Sequence, residues 1–388
     1  MSSATIKPAD RAGLLGFSDI VRIRNRVLEM KAGGARVLQL EGGEPFMTTP
    51  DFVKQAMKDA LDQNQTRYAP SSGIGPLLEA IREKLAAKNG IQVSTADIIV
   101  TSGGAHALFC AFQTAVNPGD EVMFFAPYWT PIKDQVTFSG GTPVRIPWDD
   151  ARGVSDLGEL LKLRVTPRLR VIYVNSPANP TGDVLTRQQL ESIARFSVEH
   201  NLIVIADEAY EDLVYDGAHV SIASLPGMLE RTITCFTLSK SFAMTGWRVG
   251  YLVAPRPLME FVRKLVLNTV NGVSTPTQFA AAAAVAHAGD YFPPLREQYR
   301  KRRDLLVRGL NEVGFKCLTP PGAFYVFPDV RSRLGSDSWK AMETLLERTS
   351  IASVPGVVFG PEGEGHLRMS FSTPEGLIEQ CIEALKSL

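Results

Sequence analysis

Short apolar runs that alternate with helical patterns are the feature that most constrains how this chain can fold. Most of these runs are apolar at consecutive positions rather than at every second one. Strands of that kind are covered on both faces, as in a parallel sheet between two layers of helices. The sequence therefore predicts an α/β fold with a mostly parallel, doubly wound sheet. The predicted strands are 97–103, 121–127, 170–177, 202–209, 232–238 and 248–254.

The pattern changes after about residue 290. Residues 293–314 form a long amphipathic stretch with Pro at its start and Gly at its end, which is typical of a helix. Strand-like segments follow at 322–330 and 366–372. We expect a large cofactor-binding domain and a smaller α+β domain. The predicted divisions are an N-terminal arm at 1–15, the small domain at 16–48 and 291–388, and the large domain at 49–290.

Charge and cysteine usage argue against several classes of protein. Lys plus Arg equals Asp plus Glu, 41 each, so no net attraction to nucleic acid or membrane is expected. The four cysteines are widely spaced without a CxxC pair, which predicts no metal site and a reducing compartment. No apolar run reaches the roughly 18 residues that span a bilayer, and the N-terminus has no signal core. We therefore expect a cytoplasmic protein.

Polar residues cluster where the predicted strands end, which is where ligands bind in open α/β sheets. The turn 101–104 opens a helix and suits a phosphate, or it is only a tight glycine turn. Asp207 caps a helix or faces a ligand, with Tyr210 on the same helical face. Lys240 is either a lysine that reaches solvent or a reactive amine. Arg248 is either a salt-bridge partner or a guanidinium that binds a phosphate.

Two further strand ends carry a flat ring and an amide. Trp129 either packs or stacks on a ligand ring, and Asn179 lies in a Pro-, Asn- and Gly-rich loop that would hold its amide rigidly. The combined set is a phosphate turn, an aromatic ring, an amide, a carboxylate with a phenol, an amine and a guanidinium. That combination matches the groups of pyridoxal 5'-phosphate.

The chain resembles the pyridoxal-phosphate-dependent aminotransferases of fold type I, class I/II, close to the aspartate aminotransferase branch. The resemblance extends from about residue 16 to the C-terminus and implies a transferase of amino acid metabolism. Its main motifs are "SKSFAMTGWRVGY", "NSPANPTG", "DEAYEDLVY" and "HLRMSFS", with further similarity in "LEGGEPFMTTP", "TRYAPSSGI" and "PGAFYVF".

The resemblance implies a role for each matching residue. Lys240 would bind the coenzyme covalently and later transfer a proton, and Asp207 would keep the ring nitrogen protonated. Tyr210 and Asn179 would bond the phenolic oxygen, with Trp129 stacked on the ring. The implied phosphate ligands are Gly104, Ala105, Thr237, Ser239 and Arg248, with Tyr68 from a partner subunit of a homodimer. The implied substrate-binding residues are Arg368, which takes the α-carboxylate, and Gly43, Trp129 and Asn179.

Three positions depart from the family pattern. Ala105 stands where relatives often have a hydroxyl or a lysine, and Thr237 stands where serine is common. Phe46 replaces a frequent aspartate after "GEP", which bears on how the N-terminal segment closes over the substrate.

The resemblance implies ping-pong transamination between an L-amino acid and a 2-oxo acid, with aspartate- and 2-oxoglutarate-type substrates favoured. Aromatic or other neutral substrates stay open, as does a β-eliminating lyase or an aminocyclopropane-carboxylate synthase, because these enzymes share the cofactor site. A cofactor-sensing DNA-binding regulator is disfavoured, since only about 15 residues precede the resemblance. A nicotinamide dehydrogenase is disfavoured because 73–75 lacks the third glycine of the dinucleotide motif.

Overall fold

A central sheet of seven strands organises this computed structural model, which describes residues 6–289 and 291–388. The strands of the chain are β1 (Leu38–Gln39), β2 (Ile98–Thr101), β3 (Glu121–Ala126), β4 (Thr142–Pro147), β5 (Leu169–Asn175), β6 (Ile203–Asp207), β7 (Thr232–Thr237), β8 (Gly250–Val253), β9 (Tyr325–Val326), β10 (Ile351–Ala352), β11 (Val354–Pro355) and β12 (Leu367–Ser370). The central order is β2-β8-β7-β6-β5-β3-β4, and only β8 pairs antiparallel to its neighbours.

All six predicted strands are present, and the mostly parallel α/β sheet is confirmed. The seventh strand of the sheet, β4, was not predicted. It lies at the edge of the sheet, is half-exposed, and carries Pro143 and Pro147. Edge strands tolerate proline because one side of their backbone pairs with no neighbour, so this strand lacks the continuous apolar run that marks the buried ones.

Helices cover both faces of the sheet. They are α1 (Asp19–Ala32), α2 (Asp51–Asp62), α3 (Gly75–Lys84), α4 (Gly104–Ala115), α5 (Pro131–Phe138), α6 (Trp148–Ala151), α7 (Gly158–Lys162), α8 (Arg187–Glu199), α9 (Leu238–Ser241), α10 (Arg256–Thr269), α11 (Thr275–Ala286), α12 (Phe292–Glu312), α13 (Arg331–Leu334), α14 (Ser338–Thr349) and α15 (Glu375–Leu385). The long helix predicted at 293–314 is present as α12. None of the described helices is both long and apolar enough to cross a membrane.

Successive residues of β5 show how the two layers form. Val171 and Tyr173 pack into one apolar cluster with α4 and α10, whereas Ile172 and Val174 pack into a second cluster with α7 and α8. Because side chains alternate across a strand, a strand with every residue apolar is buried on both faces. This burial fixes the strand ends, and therefore the site, in a rigid frame.

Two smaller sheets lie outside the central one. Strand β1 pairs parallel with β10, and β9, β12 and β11 form an antiparallel group beside α14. The N-terminal β1 therefore packs with elements from the end of the chain. The division into 1–15, 16–48 with 291–388, and 49–290 stays a prediction, and residues 1–5 and 290 lie outside the described residues.

Candidate active site

The carboxyl ends of the central strands open into a cavity of about 720 Å³. Small-molecule sites typically occupy about 300–1,000 Å³. Every predicted site residue except Tyr68 lines this cavity, and Tyr68 is 92% exposed. The lining residues predicted from the sequence are Gly43, Gly104, Ala105, Trp129, Asn179, Asp207, Tyr210, Thr237, Ser239, Lys240, Arg248 and Arg368.

The turn between β2 and α4 forms one end of the cavity. Gly103 has a φ of 80°, and a Cβ atom on it would lie 2.7 Å from Nη2 of Arg248. Only glycine fits this conformation at this close approach. Because α4 begins at Gly104, its first backbone N–H groups have no partner within the helix and are directed at the cavity end. That arrangement, beside a guanidinium, suits an anion.

The opposite side of the same cavity end comes from β7 and β8. The Thr237 hydroxyl caps α9 by accepting from the Ser239 N–H at 3.2 Å, and it lies 3.0 Å from the Ser239 hydroxyl. Because β8 runs antiparallel, it starts at this edge, and Arg248 lies just before it. The Arg248 guanidinium donates to the Thr245 carbonyl at 2.7 Å and to the Ser102 carbonyl at 3.4 Å. These contacts hold two hydroxyls and one cation around the turn.

Asp207 ends β6 and is buried. The predicted helix after it is absent from the described structure, so the interpretation of Asp207 and Tyr210 as neighbours on a helical face is wrong. Instead, one Asp207 oxygen accepts from the Ala209 N–H at 3.1 Å in a turn, and the other accepts from the Tyr173 hydroxyl at 2.8 Å. Burial raises the pKa of Asp207 to about 6, although the Tyr173 hydrogen bond acts in the opposite direction.

Tyr210 reaches the cavity by a different contact. Its hydroxyl lies 2.9 Å from the hydroxyl of Tyr325, and burial raises the pKa of both phenols. The backbone N–H of Asn179 donates to the Asn175 side-chain oxygen at 3.0 Å, and the Asn179 side-chain oxygen accepts from Arg368 at 3.2 Å. The phenol and the amide are therefore both fixed by protein contacts, as the proline-rich loop predicted for the amide.

Lys240 lies on the short helix α9 at the centre of the cavity wall. Its ammonium donates to the Gly43 carbonyl at 2.7 Å. Burial is the main reason that its pKa falls to about 8, and the nearby positive charge of Arg368 lowers it further. An ammonium group has no free electron pair and cannot act as a nucleophile, so the lowered pKa increases the share of the neutral, nucleophilic amine near neutral pH.

Arg368 is buried on β12 under the same cavity. It donates to the Glu41 carbonyl at 2.8 Å and to the Asn179 side-chain oxygen at 3.2 Å, and it lies over the Tyr325 ring at 4.4 Å. Its Nε has no hydrogen-bond partner among residues 6–289 and 291–388. A buried guanidinium with an N–H still to satisfy suits a ligand carboxylate.

Several cavity residues were not predicted from the sequence. Glu41 is 3% exposed; one of its oxygens accepts from Gln39 at 2.8 Å, and the other has no partner in the described part of the chain. Arg24 lines the cavity from α1, with its guanidinium 3.7 Å from Glu44. None of these residues follows a strand of the predicted central sheet. Only the packing of α1 and β1 brings them to the site.

A buried charge network adjoins Asp207. Burial by itself would raise the pKa of Glu211. The ammonium groups of Lys84 and Lys88 outweigh this effect and lower the pKa of Glu211 to about 2. Glu208 accepts from the His219 ring and the Ser221 hydroxyl. Glu208, Glu211 and His219 bring three possible metal-ligating atoms within 4.8 Å, and Glu211 in this group is already paired with Lys84 and Lys88.

Comparison with known proteins agrees with this geometry. A family model described as aminotransferase class I and II matches residues 35–385. A probable aspartate/prephenate aminotransferase of Thermus aquaticus is 39% identical, over 94% of this chain and 95% of that protein. The aromatic-amino-acid aminotransferase 2 of Thermococcus litoralis is 35% identical, over 98% and 97%. The structure of Thermus thermophilus aspartate aminotransferase with maleate aligns with a TM-score of 0.94 at 37% identity, over 98% and 99%.

Proposed function

Because the chain belongs to the class I and II aminotransferases, we propose that it moves an amino group between an L-amino acid and a 2-oxo acid with pyridoxal 5'-phosphate as coenzyme. The observation that carries this proposal is the amine of Lys240, with its lowered pKa, in one cavity with the buried groups Asp207 and Arg368. Aspartate- and 2-oxoglutarate-type substrates are the favoured pair.

The residues present fit the coenzyme. Its phosphate matches the free N–H groups of Gly104 and Ala105 together with Ser239 and Arg248. The buried Asp207 carboxyl matches a ring nitrogen, because its two oxygens are already oriented by neighbouring donors. When bound, pyridoxal 5'-phosphate supplies an aldehyde that bonds to amines and a ring that withdraws electrons from the reacting carbon.

The chain's own groups then perform binding and proton transfer. Lys240 would hold the coenzyme through its side-chain amine, and the free amine would move a proton at the substrate Cα. A positioned group of this kind typically contributes about 10²–10⁴-fold in rate. Asp207 would hold a proton at the nitrogen of the coenzyme ring. Arg368 orients the substrate by a paired contact to its α-carboxylate.

Among the described cations that line the cavity, Arg24 is the one that could bind the second carboxylate of a dicarboxylic substrate. The other cations that line the described cavity, Lys240, Arg248 and Arg368, already have proposed partners. Arg24 has a loose 3.7 Å contact to Glu44 and could bind a second carboxylate instead. The buried carboxyl of Glu41 is the observation that favours the alternative, a neutral or aromatic substrate, because a second carboxylate close to it would be repelled.

We also propose a homodimer in which Tyr68 of one subunit completes the coenzyme site of the other. Tyr68 is 92% exposed, and Phe17 and Ile6 near the N-terminus are almost fully exposed as well. These side chains are exposed in the single chain and would be accessible to a partner subunit. The cytoplasmic location stays a prediction.

Borohydride reduction of the coenzyme-loaded protein, followed by peptide mapping, tests the proposal. The label is expected on Lys240, and Lys240→Ala is expected to lose both the label and turnover. Half-reactions with single amino acids then separate the substrate classes, and ammonia release would indicate elimination instead of transamination. A label on another residue would overturn the central assignment.

A further inference from the structure

We propose that His106 is a positioning residue that holds the phosphate-binding turn in shape as a hydrogen-bond acceptor for Ser102. The inference rests on the proposed coenzyme site, since it concerns the turn that would bind the coenzyme phosphate. His106 lies in the first turn of α4, and its side chain is directed away from the cavity lining, back to the residue before Gly103.

The contacts of His106 determine which nitrogen carries the hydrogen. The backbone N–H of Ser102 donates to Nδ1 of His106 at 3.2 Å, and a backbone N–H can only donate. Nδ1 must therefore be without hydrogen, which places the hydrogen of the neutral ring on Nε2. Nε2 lies 2.9 Å from the Thr269 hydroxyl, which itself donates to the Leu265 carbonyl at 2.7 Å. The ring thus connects the turn to the end of α10.

This contact has the form of a reversed helix cap. The His106 side chain, in the first turn of α4, reaches back to a backbone N–H that precedes the helix, much as the N3 side chain of a capping box reaches back to the N-cap N–H. Here the satisfied N–H is that of Ser102, whose carbonyl accepts from Arg248 at 3.4 Å. His106 and Arg248 therefore hold the same peptide segment from opposite ends.

Protonation of His106 would abolish the contact, because a charged imidazole has no acceptor. Burial lowers the pKa of His106, which keeps the ring neutral near pH 7. The groups around the ring are Cys110 on the same helix, Thr269 from α10, and the turn with its Arg248 contact. Burial raises the pKa of the Cys110 thiol to about 12, so the thiol stays neutral over the same range.

The test compares coenzyme binding by the wild type, His106→Ala and His106→Gln, with His287→Gln as control because His287 is exposed just after the end of α11 and does not line the cavity. Dissociation constants are measured by coenzyme fluorescence on the apoprotein between about pH 5.5 and 8. Loss of one hydrogen bond of about 1 kcal/mol corresponds to roughly five- to tenfold weaker binding for His106→Ala. His106→Gln retains an acceptor and is expected to stay within about twofold, as is His287→Gln.

The pH dependence distinguishes positioning from a packing role. The coenzyme phosphate itself titrates near pH 6, so both proteins lose some affinity on acidification. The wild type is expected to lose more than His106→Gln, with the excess following the imidazole titration seen by NMR. Equal affinity of His106→Ala and wild type would overturn the inference, as would identical pH profiles of wild type and His106→Gln across the pH range in which NMR shows the His106 ring to titrate. Failure of the wild type to bind the coenzyme at all would instead overturn the proposed function.

Discussion

The lowered pKa of Lys240 gives the sharpest prediction about this site. In the coenzyme-free protein, the amine should react with an amine-directed acylating reagent at a much lower pH than an exposed lysine does. The physical cause is burial, reinforced by the positive charge of Arg368, because both penalise the ammonium form. The experiment therefore labels the protein briefly with the acylating reagent at a series of pH values. The same series is then repeated on the variant Arg368→Gln.

The size of the effect follows from the shift. With a pKa of about 8 instead of 10.5, roughly a quarter of Lys240 is neutral at about pH 7.5, against about 0.1% for an ordinary lysine. The neutral fraction thus differs by a factor on the order of 200. The shift corresponds to at most about 3 kcal/mol against the ammonium form, an upper value because the amine faces an open cavity.

The same shift predicts how stability depends on pH. The unfolded lysine titrates near 10.5 and the folded one near 8, so the unfolded state binds more protons between these values. The contribution of Lys240 to the free energy of unfolding should therefore increase as the pH rises from about 8 to 10.5.

Mass spectrometry of the acylated peptides provides the assay and its internal control. Lys162 is exposed, and its hydrogen bond to Glu159 raises its pKa above the ordinary value, so its labelling should follow at higher pH. Arg368→Gln should move the Lys240 midpoint upward, because one of the two main causes is removed. A Lys240 midpoint near that of Lys162, or a midpoint that falls in the variant, would refute the electrostatic reasoning.

Three further predictions address other parts of the site. Tyr173→Phe removes the hydrogen bond that opposes the raised pKa of Asp207, so ¹³C NMR of the Asp207 carboxyl in the apoprotein should show a higher pKa; an unchanged titration would contradict this role. Arg24→Gln should lower kcat/KM for aspartate about tenfold or more and leave neutral amino acids within about twofold; equal losses on both would argue against a side-chain contact. Lys84→Met leaves buried Glu211 with one lysine fewer and should lower the free energy of unfolding in urea by about 3 kcal/mol; a change below about 1 kcal/mol would show that Lys88 compensates.

The parts of the fold that were predictable are those with a local signal. The six buried strands carry runs of consecutive apolar residues, and α12 combines an amphipathic period with Pro and Gly at its ends. Strand β4 has neither signal, because an edge strand needs only one buried face. The pairing of β1 with β10 joins two-residue strands far apart in sequence, which no local pattern marks.

The site residues also divide into those with a local sequence signal and those without one. Asp207, Lys240 and Arg248 were predicted as candidates because they lie at the ends of apolar strands at the same edge of the sheet, and all three line the cavity. The positions of Glu41 and Arg24 and the contact of His106 with Thr269 depend on tertiary packing, so no sequence pattern indicated them.

Phe46 shows both what the sequence could indicate and what it could not. Its departure from the family pattern was noticed, but its contacts could not be predicted from the sequence. In the structure its ring packs edge-on against Tyr299 at 5.1 Å, and the Arg302 guanidinium lies 3.9 Å from the ring centre. The segment after "GEP" is therefore attached to α12 by an aromatic and a cation–π contact where a carboxylate would offer neither.

The electrostatic relation between Lys240 and Arg368 connects binding to chemistry. With the carboxylate position empty, the Arg368 charge lowers the pKa of Lys240 and favours the neutral, nucleophilic amine. A carboxylate paired with Arg368 would cancel much of that charge and raise the pKa of the amine. The lysine would thus be a better nucleophile before the substrate binds and a stronger base after it. A proton acceptor that gains basicity only when the substrate is in place would direct proton abstraction to the bound molecule, so under the proposed function Arg368 would act on catalysis as well as on orientation.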